Sequence, residues 1–485
     1  MIDFALQQLA KEDPKQAATK LAKLCEDNPC VEYYTLYAHC LLKLKQLDQA
    51  KINYTQALSH DPHALSAHFG LAQALQSSND FAQALIHLQT CVNAAPHQMT
   101  FLFQAGFCHL KLNQITEAQT ALEKVLFEYP NHLEALVNLG SCFMQQKNFA
   151  QAIHYFATAC RIDENYLPAH YNLACALMEF RRFPQACDYF TRYLEKAGEE
   201  LEALYHLGFV HMMLDHYAES KDSFYKILKI NPDNILVLHN LASIAIKEKE
   251  PSVALGYYQR ILTLAPTDDI ALYMHAALLQ KNPPARAPDA YVKALFNQYA
   301  DRFDEHLLQS LHYQTPELLY QFWQKHTHHQ AHYSIVDLGC GTGLIGALFK
   351  PHAKTLIGVD LSQAMLKVAA DKALYNTLHE QELSDYLDQC TEHYDLAILA
   401  DVLVYIGDCD YLFQKLKNIA QHILFSIEST EQKNYVLSSH GRYQHNIDYI
   451  TRLAKKYHFQ YKIKSKVTLR RQNHQAVLGD LVLLT

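Results

Sequence analysis

Several things are scarce in this 485-residue chain, and each scarcity removes a class of protein. Its 12 cysteines include no Cys-x-x-Cys pair, which removes the zinc-ribbon reading and points to buried, reduced thiols in a cytosolic protein. Positive charge is short: 42 Lys and Arg stand against 50 Asp and Glu, a net charge of -8, a poor footprint for a nucleic-acid binder. Met1-Ile2-Asp3-Phe4 opens without a basic region and apolar run, so no signal peptide is expected. The most apolar stretch, Leu396 to Ile406, is short and broken by Asp401, so no membrane span is expected. Disorder is excluded by composition, with 49% hydrophobic and 19% charged residues. Glycine is also scarce, at 14 residues, so wherever glycines gather they mean something.

What is present first is a period. Pro62, Pro96, Pro130, Pro232 and Pro266 fall on one 34-residue register, with Glu164 and Gly198 at the two intermediate points. Ten residues on stand Ala72, Gly106, Gly140, Ala174, Gly208 and Ala242. Farther on come Ala84, Ala118, Ala152, Ala186, Ser220 and Ala254, then Leu88, Leu122, Phe156, Phe190, Phe224 and Tyr258. Small residues at fixed places let paired helices approach, large apolar ones fill the gap, and the proline punctuates the second helix. This pattern resembles the tetratricopeptide repeat over roughly the first 280 residues, with an imperfect unit near Pro29 as N-terminal cap. Residues 1–282 are therefore expected to form a repeat solenoid. The segment 283–292, with Pro283, Pro284 and Pro288, reads as a linker, and 293–485 as a second domain.

Beyond the prolines the pattern alternates between strand and helix. Strands are expected at Tyr333–Leu338, Thr355–Val359, Leu378–Leu383, Tyr394–Ala400 and Ile423–Ile427, with helices to about Phe349, over Ser362–Leu374 and near Tyr411–Ala420. Such alternation implies a parallel, doubly wound sheet binding its ligand beyond the strand ends. Tyr461–Leu469 and Ala476–Leu484 read instead as an antiparallel hairpin. The fold class is thus an α-solenoid followed by a Rossmann-like α/β domain with a C-terminal hairpin.

The chemistry concentrates at Asp337-Leu338-Gly339-Cys340-Gly341-Thr342-Gly343, where four of the glycines (339, 341, 343 and 346) fall within eight residues. Backbone must there turn tightly or lie against a ligand, and the following helix offers free N–H groups. Asp360 closes the second strand about 20 residues on, the position of a carboxylate that grips ribose hydroxyls. Gly341-Thr342-Gly343-Leu344-Ile345-Gly346 also matches the dinucleotide fingerprint, so a nicotinamide or flavin enzyme is the rival reading. Against it stand Asp337, an anion badly placed for a pyrophosphate, and the C-terminal hairpin.

Asp-x-Gly-x-Gly-x-Gly with Asp360 resembles class I S-adenosylmethionine-dependent methyltransferases. Joined to the repeats, it resembles the bacterial family of predicted methyltransferases with N-terminal tetratricopeptide repeats, which also carries segments like 297–304 and Gly441–His445. The resemblance implies S-adenosylmethionine as cofactor, S-adenosylhomocysteine as product and no metal. It places Asp337, Gly339, Cys340 and Gly341 around the methionine part, Asp360 and Leu361 at the ribose, and Glu382 near the adenine. Tyr299 and Arg302 would form a lid, and Asp401 and Tyr405 would stand where the acceptor pocket opens. Candidates for moving a proton are Asp401, Tyr405, His440, Tyr443 and His445. A chain with 29 His and 31 Tyr places such residues near any site by frequency alone, whereas Asp401 ends an apolar strand, a costly place for an idle carboxylate.

Three further features stand out in the chain. His326, His328, His329 and His332 lack metal-ligand spacing and read as a polar loop. Arg452 to Arg471 holds eight Lys or Arg and no acid, read first as a solvated or charge-protected strand face, second as an anion dock. Gln104, Asn138, Asn172, His206 and Asn240 repeat on one face of successive first helices. They resemble the asparagine ladder of the O-linked N-acetylglucosamine transferase repeats, which implies a protein or peptide partner. A small-molecule methyltransferase with structural repeats, or a scaffold with a nucleotide-binding domain, remain as alternatives.

Overall fold

The computed structural model describes residues 4–297, 303–305, 307, 308, 311–327, 332–472 and 475–485. The chain divides into two compact units, 1–232 and 233–485.

In the first unit, helices Phe4–Glu12 and Pro14–Asp27 precede helix pairs that run from Val31–Lys43 with Leu47–His60 to Leu201–Met213 with Tyr217–Ile230. The pairing follows from the sequence register. Gly140 stands where a β-carbon would lie 2.5 Å from Phe156, and Gly208 where one would lie 2.7 Å from Phe224. Each small residue of a first helix thus admits the large residue of its own second helix. Leu88, Leu122, Phe156, Phe190 and Phe224 are fully buried, as are the small residues Ala84, Ala118, Ala152, Ala186 and Ser220. The Ser220 hydroxyl donates to the Gly208 carbonyl at 2.7 Å, which satisfies the one buried polar group at that position.

A second period becomes visible only in the backbone. Lys45, Asn79, Asn113, Lys147, Arg181, Asp215 and Lys249 all have φ between 56° and 64°. Each follows a first helix, and the next amide folds back five residues, as Asp80 to Leu75 and Asn148 to Phe143. These are Schellman turns built without glycine.

The second unit begins with helices of the same pattern, Ile235–Lys247, Pro251–Leu264 and Asp269–Leu279, and continues into a sheet. Its strands are β1 (Tyr333–Leu338), β2 (Ala353–Asp360), β3 (Thr377–Glu380), β4 (Tyr394–Leu399), β5 (Ala420–Glu428), β6 (Tyr435–Leu437), β7 (Tyr443–His445), β8 (Tyr461–Gln472) and β9 (Gln475–Leu484). Seven form one sheet in the order β3-β2-β1-β4-β5-β9-β8, while β6 and β7 pair separately. β1 to β5 run parallel, and β9 is antiparallel to both β5 and β8. One face carries Phe413, Phe425, Ile450 and Phe459, and the other the single tryptophan, Trp323, with Leu319 and Phe349. The order reverses between β1 and β4, which opens a crevice at the carboxyl ends of those strands.

One local expectation changes. The third strand is Thr377–Glu380 and stops short of Leu383, because the Glu382 carboxylate accepts the amides of Ser384 and Asp385 and starts a helix, Leu383–Gln389. Tyr443–His445 is a strand. The proline-rich stretch is stitched to the loop after β4: the Ala285 carbonyl accepts from Gly407 and Asp408, and Ala287 N–H donates to Tyr405. Among the described residues no helix is long and apolar enough to cross a membrane, and no group of three His, Cys, Asp or Glu is placed to hold a metal. His328 and His329 lie outside the described residues.

Candidate active site

Asp337 is the last residue but one of β1, and the chain then needs three left-handed residues in five: Gly339 at φ 76°, Gly341 at 53° and Gly343 at 86°. Only glycine adopts these without strain. The Gly339 and Cys340 amides both donate to the Val359 carbonyl at the end of β2, which anchors the turn. Asp360 closes it: one carboxylate oxygen accepts Gly341 N–H and the other Ser362 N–H, each at 2.8 Å. The Ser362 hydroxyl in turn caps helix Gln363–Asp371, accepts from Met365 N–H and donates to Asn297 at 2.7 Å. Asp360 holds a ligand loop together as well as facing it, and Leu361 beside it is half-buried.

Asp337 is fully buried. Tyr375 donates its hydroxyl to Oδ2 at 2.6 Å, while Oδ1 has no hydrogen-bond partner among the described residues. Burial pushes this carboxyl up to about 7; the Tyr375 hydrogen bond opposes that and the nearby Asp360 charge adds to it. Tyr375 also lies where β-carbons on three glycines would fall, 2.3 Å from Gly346, 2.9 Å from Gly358 and 3.0 Å from Gly343. A β-carbon on Gly341 would meet nothing within 4 Å. The loop is thus packed from below by one tyrosine and open at Gly341. An orphaned buried carboxylate oxygen beside an open glycine backbone suits a ligand that brings an ammonium group. Thr342 donates to Asp304, which also takes the Lys372 ammonium at 2.5 Å.

The second cluster lies past β4 and β5. Val402 closes against the loop, its Cγ2 2.5 Å from where a β-carbon on Gly339 would sit. Asp401, at φ 56°, accepts the Ser426 hydroxyl on Oδ1 at 2.9 Å. Glu428, at the end of β5, receives Arg442 Nε at 2.7 Å and Arg470 Nη2 at 2.6 Å on the same oxygen. Burial alone would raise its carboxyl, but the two guanidinium groups outweigh that and hold it below the ordinary range. Arg442 Nη1 donates to the Tyr405 hydroxyl at 3.2 Å, and the guanidinium lies over the Tyr405 ring. Arg470 Nη1 stands 3.7 Å from Asp401, beyond hydrogen-bond length, and has no other hydrogen bond among the described residues. Burial raises both the Tyr405 and the Tyr313 hydroxyl above the ordinary tyrosine range.

Asp337, Gly339, Cys340, Gly341 and Asp360 converge at one turn, and Asp401 and Tyr405 at the neighbouring cluster. Glu382 caps a helix and pairs with Arg286 at 2.8 Å. Tyr443 is fully buried with its hydroxyl on the Pro284 carbonyl, and His445 is fully buried with Nε2 3.2 Å from the Gly407 carbonyl. Burial lowers His445 to about 4, which keeps it neutral. His440 is exposed, and Tyr299 and Arg302 lie outside the described residues. Among the ladder residues, Gln104, Asn138 and Asn172 sit half-buried on first helices of the first unit, and the Asn172 amide donates to its own helix at Pro168. His206 belongs to the same unit and Asn240 to the second.

Tyr375, Ser426, Glu428, Arg442 and Arg470 were missed by sequence reasoning. Glu428 carried the signal that singled out Asp401, a carboxylate closing an apolar strand. Arg470 was hidden in a basic run read as solvated, yet it is buried.

Residues 335–422 match the family model described as a methyltransferase domain. Residues 31–63, 109–166 and 171–235 match tetratricopeptide repeat models, and 50–125 match a model of anaphase-promoting complex subunit 3. No curated protein matches the chain. Among solved structures the chain is similar to pilF of Pseudomonas aeruginosa, at 19% identity and TM-score 0.39, over 45% of this chain and 97% of that one. YrrB, titled a TPR protein with an unusual peptide-binding site, is similar at 21% identity and TM-score 0.34, over 39% and 97%. A C-terminal part of a repeat protein from Cytophaga hutchinsonii follows at 17% and 0.42, over 49% and 98%.

Proposed function

Since the chain joins tetratricopeptide repeats to a class I methyltransferase domain, we propose that it transfers a methyl group from S-adenosylmethionine to an acceptor brought by a protein partner of the repeats. The observation that carries this is the turn after β1: three left-handed glycines, Asp360 on the Gly341 amide, and a buried Asp337 oxygen without a partner among the described residues. Asp337 would take the ammonium of the methionine part, the open backbone at Gly341 would lie along it, and the spare lone pairs of Asp360 would take ribose hydroxyls. When bound, S-adenosylmethionine supplies an electrophilic methyl group. The chain's part is then orientation, with Val402, Tyr405 and the cluster at Asp401 and Glu428 holding the acceptor near the loop. The repeats, residues 1–282 by their period, serve recruitment, with Gln104, Asn138, Asn172 and Asn240 as contact candidates. The work is divided at the proline-rich segment 283–292, and the cytoplasm is the compartment that fits the reduced cysteines.

Calorimetric titration with S-adenosylmethionine, S-adenosylhomocysteine and NADH tests the cofactor reading. The first two should bind in the micromolar range, and Asp360→Ala should abolish both. Binding of NADH alone would overturn the proposal.

A further inference from the structure

The cluster beyond β4 and β5 has more chemistry than a structural ion pair needs. Two guanidinium groups converge on a single oxygen of Glu428, and Asp401 is too far from Arg470 for a hydrogen bond. Arg470 is about nineteen-twentieths buried, at 5% exposure, and its Nη1 lacks a hydrogen bond among the described residues. A buried guanidinium N–H without an acceptor is costly, so an acceptor atom is expected nearby. Arg442, with its side chain 23% exposed, shares the Glu428 oxygen with Arg470 and reaches on to Tyr405. The charged groups gathered here are Asp401, Glu428, Arg442 and Arg470, with the tyrosines Tyr313 and Tyr405 beside them.

None of these is suited to take a proton from an acceptor at neutral pH. Glu428 is held ionised below its ordinary range by both arginines. The Asp401 carboxylate is bonded by Ser426 on one side and faces Arg470 on the other. Tyr405 and Tyr313 hold their protons more tightly than usual. Tyr443 and His445 are buried against backbone carbonyls. An alcohol, or an ammonium that must first lose a proton, would find no base among these groups. An acceptor that is already an oxyanion needs none.

Resting on the methyltransferase reading, we propose that the acceptor group is a carboxylate, seated on Arg442 with Arg470 behind it, and that the product is a methyl ester. Arg442, the more exposed of the two, is the main contact with substrate, and the Arg470 Nη1 N–H is the donor left to bond it. The nucleophile is a carboxylate oxygen, whose lone pair forms the new C–O bond to the methyl carbon. The bond from that carbon to the sulfonium sulfur breaks, its electron pair stays on sulfur, and no proton leaves. A planar fork that can match both carboxylate oxygens explains why arginine rather than lysine fills these positions.

The test is calorimetry on the full chain, unloaded and saturated with S-adenosylhomocysteine, with glutarate as probe and glutaramide as its uncharged counterpart. Glutarate is expected to bind and glutaramide to bind at least about tenfold more weakly, since charge-assisted hydrogen bonds are roughly twice as strong as neutral ones. Arg442→Gln should remove glutarate binding while leaving S-adenosylhomocysteine affinity intact, which shows that the variant is folded, and Arg442→Lys should keep part of it. Equal binding of glutarate and glutaramide, or glutarate binding that survives Arg442→Gln, would overturn the proposal. So would 1,5-diaminopentane binding in place of glutarate, which would assign the site to an amine on Asp401. Failure of S-adenosylhomocysteine to bind the unsubstituted protein would instead remove the cofactor reading, and the titration of unloaded protein still reads the carboxylate subsite by itself.

Discussion

The two halves of this chain crowd their glycines in opposite ways. In the repeats, Gly140 faces Phe156 and Gly208 faces Phe224, each partner 16 residues away in the same helix pair. At the site, Gly343, Gly346 and Gly358 all face Tyr375, which lies on none of their elements. The repeat contact is one small residue against one large one, copied along the array. The site contact is one side chain that supports three backbone positions and also hydrogen-bonds Asp337. Crowding of the first kind is a local matter that a single second substitution can repair. Crowding of the second kind is shared, and repair at one point breaks another.

Paired substitutions put this difference to the test. Gly358→Ala would bring a β-carbon to 2.9 Å from both Tyr375 and Cys340 and 2.7 Å from Leu378. It should cost about 1–3 kcal/mol in melting experiments and weaken S-adenosylhomocysteine binding about a hundredfold, because the loop itself moves. Adding Tyr375→Phe should not restore binding, since it removes the hydrogen bond to a buried carboxylate. Gly140→Ala should cost a similar ~1–3 kcal/mol of stability, with no change in cofactor binding, and Phe156→Leu should recover most of it. A full recovery of binding in the Gly358→Ala and Tyr375→Phe pair would erase the contrast.

Smaller effects follow from titration. Asp337 sits at about 7 in the fold against an ordinary 3.8, so between those values the folded state holds the extra proton. Stability from this group is therefore greatest at low pH and is lost as pH rises through about 7. A ligand ammonium favours the ionised form, so S-adenosylhomocysteine affinity should rise, by up to about tenfold per unit, as pH climbs toward 7 and then level off. Tyr375, Cys340 and Asp360 face the same carboxyl, and Asp337→Asn should flatten the profile if Asp337 is its source. His445 has the opposite sign for stability. Its value falls from 6.5 to about 4 by burial, so the unfolded chain binds the extra proton and stability drops as pH falls from 6.5 toward 4. Acid melting of His445→Phe should show a shallower slope over that window. Smallest of all, Lys147→Gly relieves a left-handed turn in the repeats and should raise stability by about 0.5–1 kcal/mol, read as a higher denaturant midpoint.

Much of the site was legible in the residues. The glycine run announced the turn, and Asp360 announced its partner strand, because both lie within 25 residues of one loop and follow rules of backbone geometry. The third strand was misplaced because Glu382 reads equally as strand end and helix cap, and only the amides of Ser384 and Asp385 decide between them. Lys462, Lys464 and Lys466 share the basic run with Arg470, but β8 shifts register twice against β9, between Lys464 and Val467 and between Thr468 and Arg470. Alternation counted along the strand therefore fails to say which face Arg470 takes.

By itself the sequence determined the 34-residue period, the small-against-large packing of each helix pair, the glycine turn and the parallel strands around it. These depend on contacts within a few tens of residues, where spacing translates directly into geometry. Only the tertiary structure decided that Tyr375 supports the loop and that Glu428 gathers Arg442 and Arg470 beside Asp401. Arg470, 42 residues from Glu428, meets it because β9 inserts between β5 and β8, pairing Glu428 with Gly479 and Gly479 with Val467, while Arg442, 14 residues away, arrives just before β7. Charges so far apart in the chain carry no mutual pattern in sequence, and it is the closing of the sheet that brings them together in a low-dielectric interior, where their pairing matters most.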